Sequence, residues 1–245
     1  MSGHSKWATI KHKKAATDAK RGQVFTKLIK EITVAARNGG NPDTNPRLRV
    51  AIERGKEASM PADNIERAIK KGTGELEGVS YEDITLEGYG PGGVAFYVEG
   101  LTDNKNRATS EIRTIFSKKG GNMAGAGSVS WMFEKKGYIV VNKKIIDEDK
   151  LMGIVLEAGA EDLVAEDENY AITTSPVDFY KVKKALEDNA ITMESAETTL
   201  LPKSTIKVAE EEAKKVLDLV DALEEHEDVQ HVYANFDIPD EMLKE

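Results

Sequence analysis

The spacing of apolar residues changes once along this chain, near residue 78, and that change limits the folds open to it. From Thr17 to Arg37, Phe25, Leu28, Ile29, Ile32, Ala35 and Ala36 recur every three or four positions, as one face of an α-helix requires. Asn38-Gly39-Gly40-Asn41-Pro42 then closes the helix with residues that tolerate left-handed backbone. Asn45-Pro46 supplies a cap and a first-turn proline for a second helix lined by Leu48, Ala51, Ile52 and Ala58. Met60-Pro61 interrupts the chain, and Ile65, Ala68 and Ile69 give a third short helix before Gly72. Thr73 to Gly78 reads as a linker.

Beyond Gly78 strands alternate with helices. Strands are expected at Asp83–Glu87, Val94–Gly100 and Val129–Phe133, with a helix from Asn104 to Lys119. A compact series follows: strand Gly137–Val141, helix Glu148–Ala158, strands Asp162–Glu166 and Tyr170–Thr174, helix Val177–Asn189 and strand Ile191–Leu200. This β-α-β-β-α-β order is that of a split βαβ unit, two helices on one face of an antiparallel sheet. A last helix, Glu210–Glu225, and strand, Val229–Phe236, cannot bury their apolar faces alone, so they are expected to complete the earlier unit. The expected class is α+β. Its domains are a helical 1–78, a discontinuous α/β domain of 79–134 plus 204–245, and an inserted βαββαβ domain of 135–203.

Charge is segregated along this chain. The net charge of −9 divides into 16 Lys/Arg against 9 Asp/Glu in residues 1–78 (+7), and 18 against 34 in the remainder (−16). A basic segment can engage phosphates while the acidic remainder is held away. Cysteine is absent, which excludes disulfides, thiolate metal sites and a cysteine nucleophile and fits a cytoplasmic protein. No apolar run approaches the roughly 18 to 20 residues that span a bilayer. The opening residues lack the apolar core of a secretory signal; they resemble a basic, acid-poor mitochondrial leader, but no Arg precedes Arg21.

The strongest functional signal is the arm at residues 3–14, which interleaves Lys6, Lys11, Lys13 and Lys14 with His4, Trp7 and His12. Lysines neutralise phosphates and release counterions, and exposed rings stack on unpaired bases. Lys20, Gln23, Lys27, Lys30 and Arg37 fall near a second stripe of the first helix, opposite its apolar face. The candidate nucleic-acid ligands are therefore His4, Lys6, Trp7, Lys11, His12, Lys13, Lys14, Lys20, Arg21, Lys27 and Lys30. The plainer alternatives are a frayed basic terminus with Trp7 folded on the helical core, and a solvated lysine face.

The opening GHSKWATIKHKKAATDAKRG at 3–22 resembles the signature of the YebC family. The similarity continues through FTKLIKEI at 25–32, NPRLR at 45–49, MPADNIERAIKKGTGE at 60–75, EGYGPGGVA at 87–95, LTDNKNRATSEIR at 101–113 and GSVSWMFEKKG at 127–137. Lys105 and Ala108 depart from the family's more usual Asn-Arg-Asn-Arg-Thr run. The resemblance implies three domains, one helical and two α/β of ferredoxin-like type, one inserted in the other. It also implies DNA-binding transcriptional regulation, or, as in mitochondrial translational activators, action on protein synthesis through ribosomal RNA.

Other motifs read as structure. The loop Glu87-Gly88-Tyr89-Gly90-Pro91-Gly92-Gly93 lacks a P-loop ending and leads into a strand, so a tight turn is expected. Thr102-Asp103-Asn104 is a helix cap whose amides could also hold a phosphate. Val129, Trp131 and Phe133 alternate as in a half-buried strand, which makes Trp131 a core residue. His4, His12, His226 and His231 show no metal-ligand spacing, and no nucleophile elbow or kinase signature is present. Glu224-Glu225-His226-Glu227-Asp228 reads as a solvated turn. No enzyme activity, metal, cofactor, small-molecule substrate or membrane is expected. The partners are nucleic acid, DNA or ribosomal RNA, with protein contacts through the acidic domains.

Overall fold

The computed structural model describes residues 21–166 and 168–238. Within them the chain forms two compact units, one of 21–130 with 208–234, the other of 131–207 with 235–238.

The first unit begins with three helices, α1 (Arg21–Ala36), α2 (Pro46–Glu57) and α3 (Ala62–Thr73). Leu28, Ile32, Ala35 and Ala36 of α1 share a core with Leu48, Ala51, Met60, Ile65 and Ala68. Small residues set the helix spacing. A Cβ on Gly72 would lie 2.3 Å from the Thr33 carbonyl oxygen, so α3 crosses α1 where only glycine fits. Asn45 caps α2 by accepting the Leu48 amide at 3.1 Å, and its Nδ2 donates to the carbonyls of Ala35 and Gly39, both at 2.8 Å. One buried amide side chain thus closes α1 and opens α2.

Strands β1 (Glu82–Tyr89), β2 (Ala95–Thr102), β3 (Asn122–Ala124) and β9 (Val229–Ala234) form an antiparallel sheet in the order β3-β1-β2-β9. Gly90 to Gly93 make the β1–β2 turn, with Gly92 and Gly93 at φ 68° and 76°, the left-handed region that favours glycine. Ile84, Leu86, Gly88, Phe96 and Val98 lie on one face by register, joined by Val232 and Ala234. Helices α4 (Lys105–Lys118) and α7 (Glu210–Glu224) cover that face, Phe116 meeting Phe96 edge-on at 5.9 Å. Asn104 caps α4 through the Arg107 amide, as its sequence suggests.

In the second unit, β4 (Phe133–Asn142), α5 (Glu148–Glu157), β5 (Ala160–Ala165), β6 (Asn169–Thr174), α6 (Phe179–Asp188) and β7 (Ser195–Pro202) build a sheet ordered β5-β6-β4-β7. Every neighbouring pair is antiparallel. Leu151, Val155, Phe179, Val182 and Leu186 of the helices meet Ile139, Val141, Leu163 and Ile172 of the sheet. Burial of each such side chain is worth about 1.5–3 kcal/mol. A short parallel ribbon joins β8 (Ile206–Lys207) to β10 (Phe236–Asp237).

The class is α+β, a helical part and two ferredoxin-like α/β parts, one interrupting the other. The second sheet follows the split βαβ order. The first reaches the same spatial arrangement by another route, because β1, equivalent to the third strand of that order, comes first in the chain.

Two expectations are corrected. The strand anticipated at Val129–Phe133 is a 3-10 turn, Ser130–Met132, and β4 starts only at Phe133. The Glu87 carboxylate accepts the amides of Gly127 (2.8 Å), Val129 (2.6 Å) and Ser130 (3.0 Å), which takes those donors from any ladder. Val129 is buried, but Trp131 is 63% exposed and does not belong to a core. The strand anticipated at Val229–Phe236 is likewise divided at Asn235 into β9 and β10.

Candidate nucleic-acid interface

His4, Lys6, Trp7, Lys11, His12, Lys13, Lys14 and Lys20 lie outside the described residues, and Arg21 opens α1. The other two candidates face inward. Lys27 Nζ donates to the Glu224 carbonyl at 2.7 Å, at the carboxyl end of α7, where the helix dipole favours a cation. Lys30 is a correction to the expected phosphate stripe. Only 6% exposed, it donates to Asp228 Oδ1 at 2.6 Å and to the Glu227 carbonyl at 3.0 Å. Both acceptors lie almost two hundred residues away in the chain, so helical spacing cannot disclose them.

Asp228 is itself a second correction, since the turn that holds it is not solvated throughout. Its side chain is 1% exposed and accepts from Lys30, from Thr102 Oγ1 at 2.9 Å and from Arg107 Nη2 at 2.7 Å. Gly100 admits it: a Cβ there would lie 2.4 Å from the Asp228 carbonyl oxygen, at a bulge between β2 and β9. Burial alone would raise the Asp228 carboxyl. Hydrogen bonds from Lys30 and Thr102, with the charges of Lys30 and Arg107, outweigh it and hold the group below its ordinary value. The Asp228 amide donates to His226 Nδ1 at 3.2 Å, leaving Nε2 to donate to Glu111 at 2.9 Å. This network ties α1 to the sheet, and within it the Asp228 carboxylate is answered by Lys30, Thr102 and Arg107.

Glu87 follows the same logic. Burial pushes its carboxyl up, and the amides of Val129, Gly127 and Ser130 bring it below the usual carboxylate range.

Arg37, just past α1, is exposed and donates to Ser80 Oγ at 3.0 Å, and further outward cations lie on α2 and α3, where Arg49, Lys56, Arg67 and Lys71 are all exposed. Arg49 and Lys56 stand two turns apart on one face of α2, and Arg67 and Lys71 one turn apart on α3. The sequence reading passed over them, although their position opposite Leu48, Ala51, Ile65 and Ala68 marks them as outward-facing. Arg47 and Arg54 are engaged with Asp83 at 3.2 Å and Glu31 at 3.1 Å. The exposed start of α3 is acidic, with Asp63 in its first turn and Glu66 paired to Lys70 at 2.6 Å. Among the described residues no group of three or more His, Asp and Glu could hold a metal ion, and no helix is long and apolar enough to cross a membrane.

Known proteins extend this picture over the whole chain. The family model described as the TACO1/YebC protein N-terminal domain matches residues 5–75, and that of the TACO1/YebC second and third domain matches residues 81–236. A protein of Desulfatibacillum aliphaticivorans is 58% identical over 100% of both chains, and one of Geobacter sulfurreducens is 58% identical over 100% of this chain and 99% of its own. Both bear the name "probable transcriptional regulatory protein". The crystal structure of a conserved hypothetical protein from Aquifex aeolicus is similar with a TM-score of 0.85 and 53% identity, covering 98% of this chain and 100% of that one. The chain thus belongs to the TACO1/YebC family, whose relatives here carry the name "probable transcriptional regulatory protein".

Proposed function

We propose that this chain is a cytoplasmic, non-enzymatic regulator of gene expression that binds DNA through its amino-terminal arm and helical part. The observation that supports the reading is charge segregation: 16 basic against 9 acidic residues in 1–78, in a chain whose net charge is −9. Lys6, Lys11, Lys13, Lys14, Lys20 and Arg21 supply phosphate contacts, with Arg49, Lys56, Arg67 and Lys71 extending the positive surface. His4, Trp7 and His12 stack or read shape. Lys30 has no part in it.

One observation favours RNA as the second reading. In a helix-turn-helix the second helix enters the major groove by its amino end. Here that helix would be α3, whose first turns expose Asp63 and Glu66, and acidic groups there repel phosphate. An arm with Trp7 suits the unpaired segments of ribosomal RNA better than a duplex groove. Crosslinking in cells, followed by sequencing of the bound nucleic acid, separates the two. Enriched promoter DNA supports the first reading and enriched ribosomal RNA the second. Recovery of neither contradicts both.

A further inference from the structure

Helix α5 carries two residues that work against a helix, and both lie on one face of it. Asp149, Gly153 and Glu157 stand one turn apart along that face. Glycine inside a helix is costly, because it loses more freedom on folding than any other residue. It is tolerated where the backbone needs a left-handed angle or where another group presses close. Neither reason holds for Gly153: its φ is not positive, and a Cβ added to it would meet nothing within 4 Å. Glu157 ends the helix with a negative charge where the dipole favours a cation, and no basic residue occupies that last turn.

Gly153 and Glu157 line one wall of an open groove of about 470 Å³ that lies wholly within the second unit. Ile146, Ile154 and Ile191 give the groove its apolar surface. Leu156, a neighbour of Gly153 on the helix surface, is 50% exposed. From Ile145 to Glu157 the chain carries Asp147, Glu148, Asp149 and Glu157 against Lys150, and all five are exposed. This acidic rim repels phosphate, so it disfavours nucleic acid and anionic lipid as occupants. Aliphatic side chains inside an acidic rim, with helix backbone laid bare at Gly153, match a helix that carries Lys or Arg beside an apolar stripe.

We propose that this groove docks an amphipathic basic helix of another protein. The partner's backbone passes over Gly153, its apolar residues enter between Ile146, Ile154 and Ile191, and its cations meet Asp149 and Glu157. Docking here is independent of the nucleic-acid reading, since none of these residues is a candidate phosphate ligand.

The test is a phage-displayed library of short peptides panned on the full-length protein, with enriched peptides synthesised and titrated by fluorescence anisotropy. The expected consensus has apolar residues at helical spacing flanked by Lys or Arg. Gly153→Leu fills the open space on the groove wall and should cut affinity roughly tenfold or more, as loss of a central anchor does. Its thermal midpoint should stay level or rise, because leucine is the better helix former, so lost binding is not lost folding. Gly153→Ala should raise the midpoint and weaken binding less. Glu157→Lys should slow association, most strongly at low salt. Both Gly153 variants should keep the salt slope of the unaltered chain toward nucleic acid.

Panning that enriches no sequence, or only peptides that bind Gly153→Leu as tightly as the unaltered chain, overturns the docking site. An acidic or uncharged consensus overturns the chemistry assigned to the partner. A dimer on sedimentation that Gly153→Leu dissociates hands the groove to a second copy. A gain in peptide affinity when Lys11, Lys13 and Lys14 are replaced by Ala hands it to the chain's own arm. Either of these last results overturns an outside partner.

Discussion

The Lys30–Asp228 pair shows how little a residue's type settles about its role. Lys30 is one of two lysines on α1, and burial at 6% exposure distinguishes it from a phosphate ligand. Deleting one partner of a buried pair leaves the other charge uncompensated, at about 3–5 kcal/mol. Lys30→Met should therefore lower stability by about 3 kcal/mol in urea unfolding, less whatever Arg107 and Thr102 retain for Asp228. In a cycle with Asp228→Asn the two losses should not add, since the residues touch; additivity within about 0.5 kcal/mol would contradict the pairing. Proton linkage gives a second prediction. The folded Asp228 carboxyl lies below its unfolded value, so between the two the unfolded chain binds more protons and stability rises with pH. The contribution is complete above about pH 4, the unfolded aspartate value, and is lost as pH falls through the folded one. Asp228→Asn should flatten the acid limb of the stability profile, and an unchanged limb would show that Asp228 does not titrate as the geometry requires.

At the scale of elements, caps carried much of what could be read ahead of the structure. Asn45 closes one helix and opens the next, and Asn45→Ala removes a cap bond and two donors to buried carbonyls. The expected cost is about 2–3 kcal/mol, read as a lower urea midpoint with an unaltered slope. The helices, the Asn45 and Asn104 caps and the βαββαβ order were legible because each depends on residues within a few positions. The three-residue β3 is too short to show a period. The turn at Ser130–Met132 was misread because its cause, Glu87, lies some forty positions upstream, while Val129, Trp131 and Phe133 mimic strand alternation. The same distance problem hid the inward course of Lys27 and Lys30, whose acceptors are on α7 and the turn after it. Periodicity identifies the polar side of a helix; it does not say whether water or another element lies against it. The outward cations of α2 and α3 were visible in the pattern and were passed over for the denser lysines of the arm.

For the molecule as a whole, the decisive quantity is how binding responds to salt. A chain of net charge −9 should avoid polyanions unless its positive charge is concentrated where the ligand docks. Removing one lysine–phosphate pairing should then reduce the slope of log affinity against log salt by about 0.9 on duplex DNA and about 0.7 on a single strand. Replacing Lys11, Lys13 and Lys14 by Ala tests the arm, and replacing Arg49, Lys56, Arg67 and Lys71 by Gln tests the helical part. Both sets should weaken binding across unrelated sequences, because phosphate ligands position a protein without reading bases. Lys184→Gln serves as the control: that lysine is held by Asp188 at 2.7 Å in the acidic second unit, and its replacement should leave the slope unchanged. A drop in slope with the arm variant alone would confine docking to residues 1–20 and make the helical part a scaffold. A drop with the helical variant alone would place the ligand across α2 and α3. If neither variant changes the slope, the segregated charge serves solubility or a protein partner, and the nucleic-acid reading is wrong.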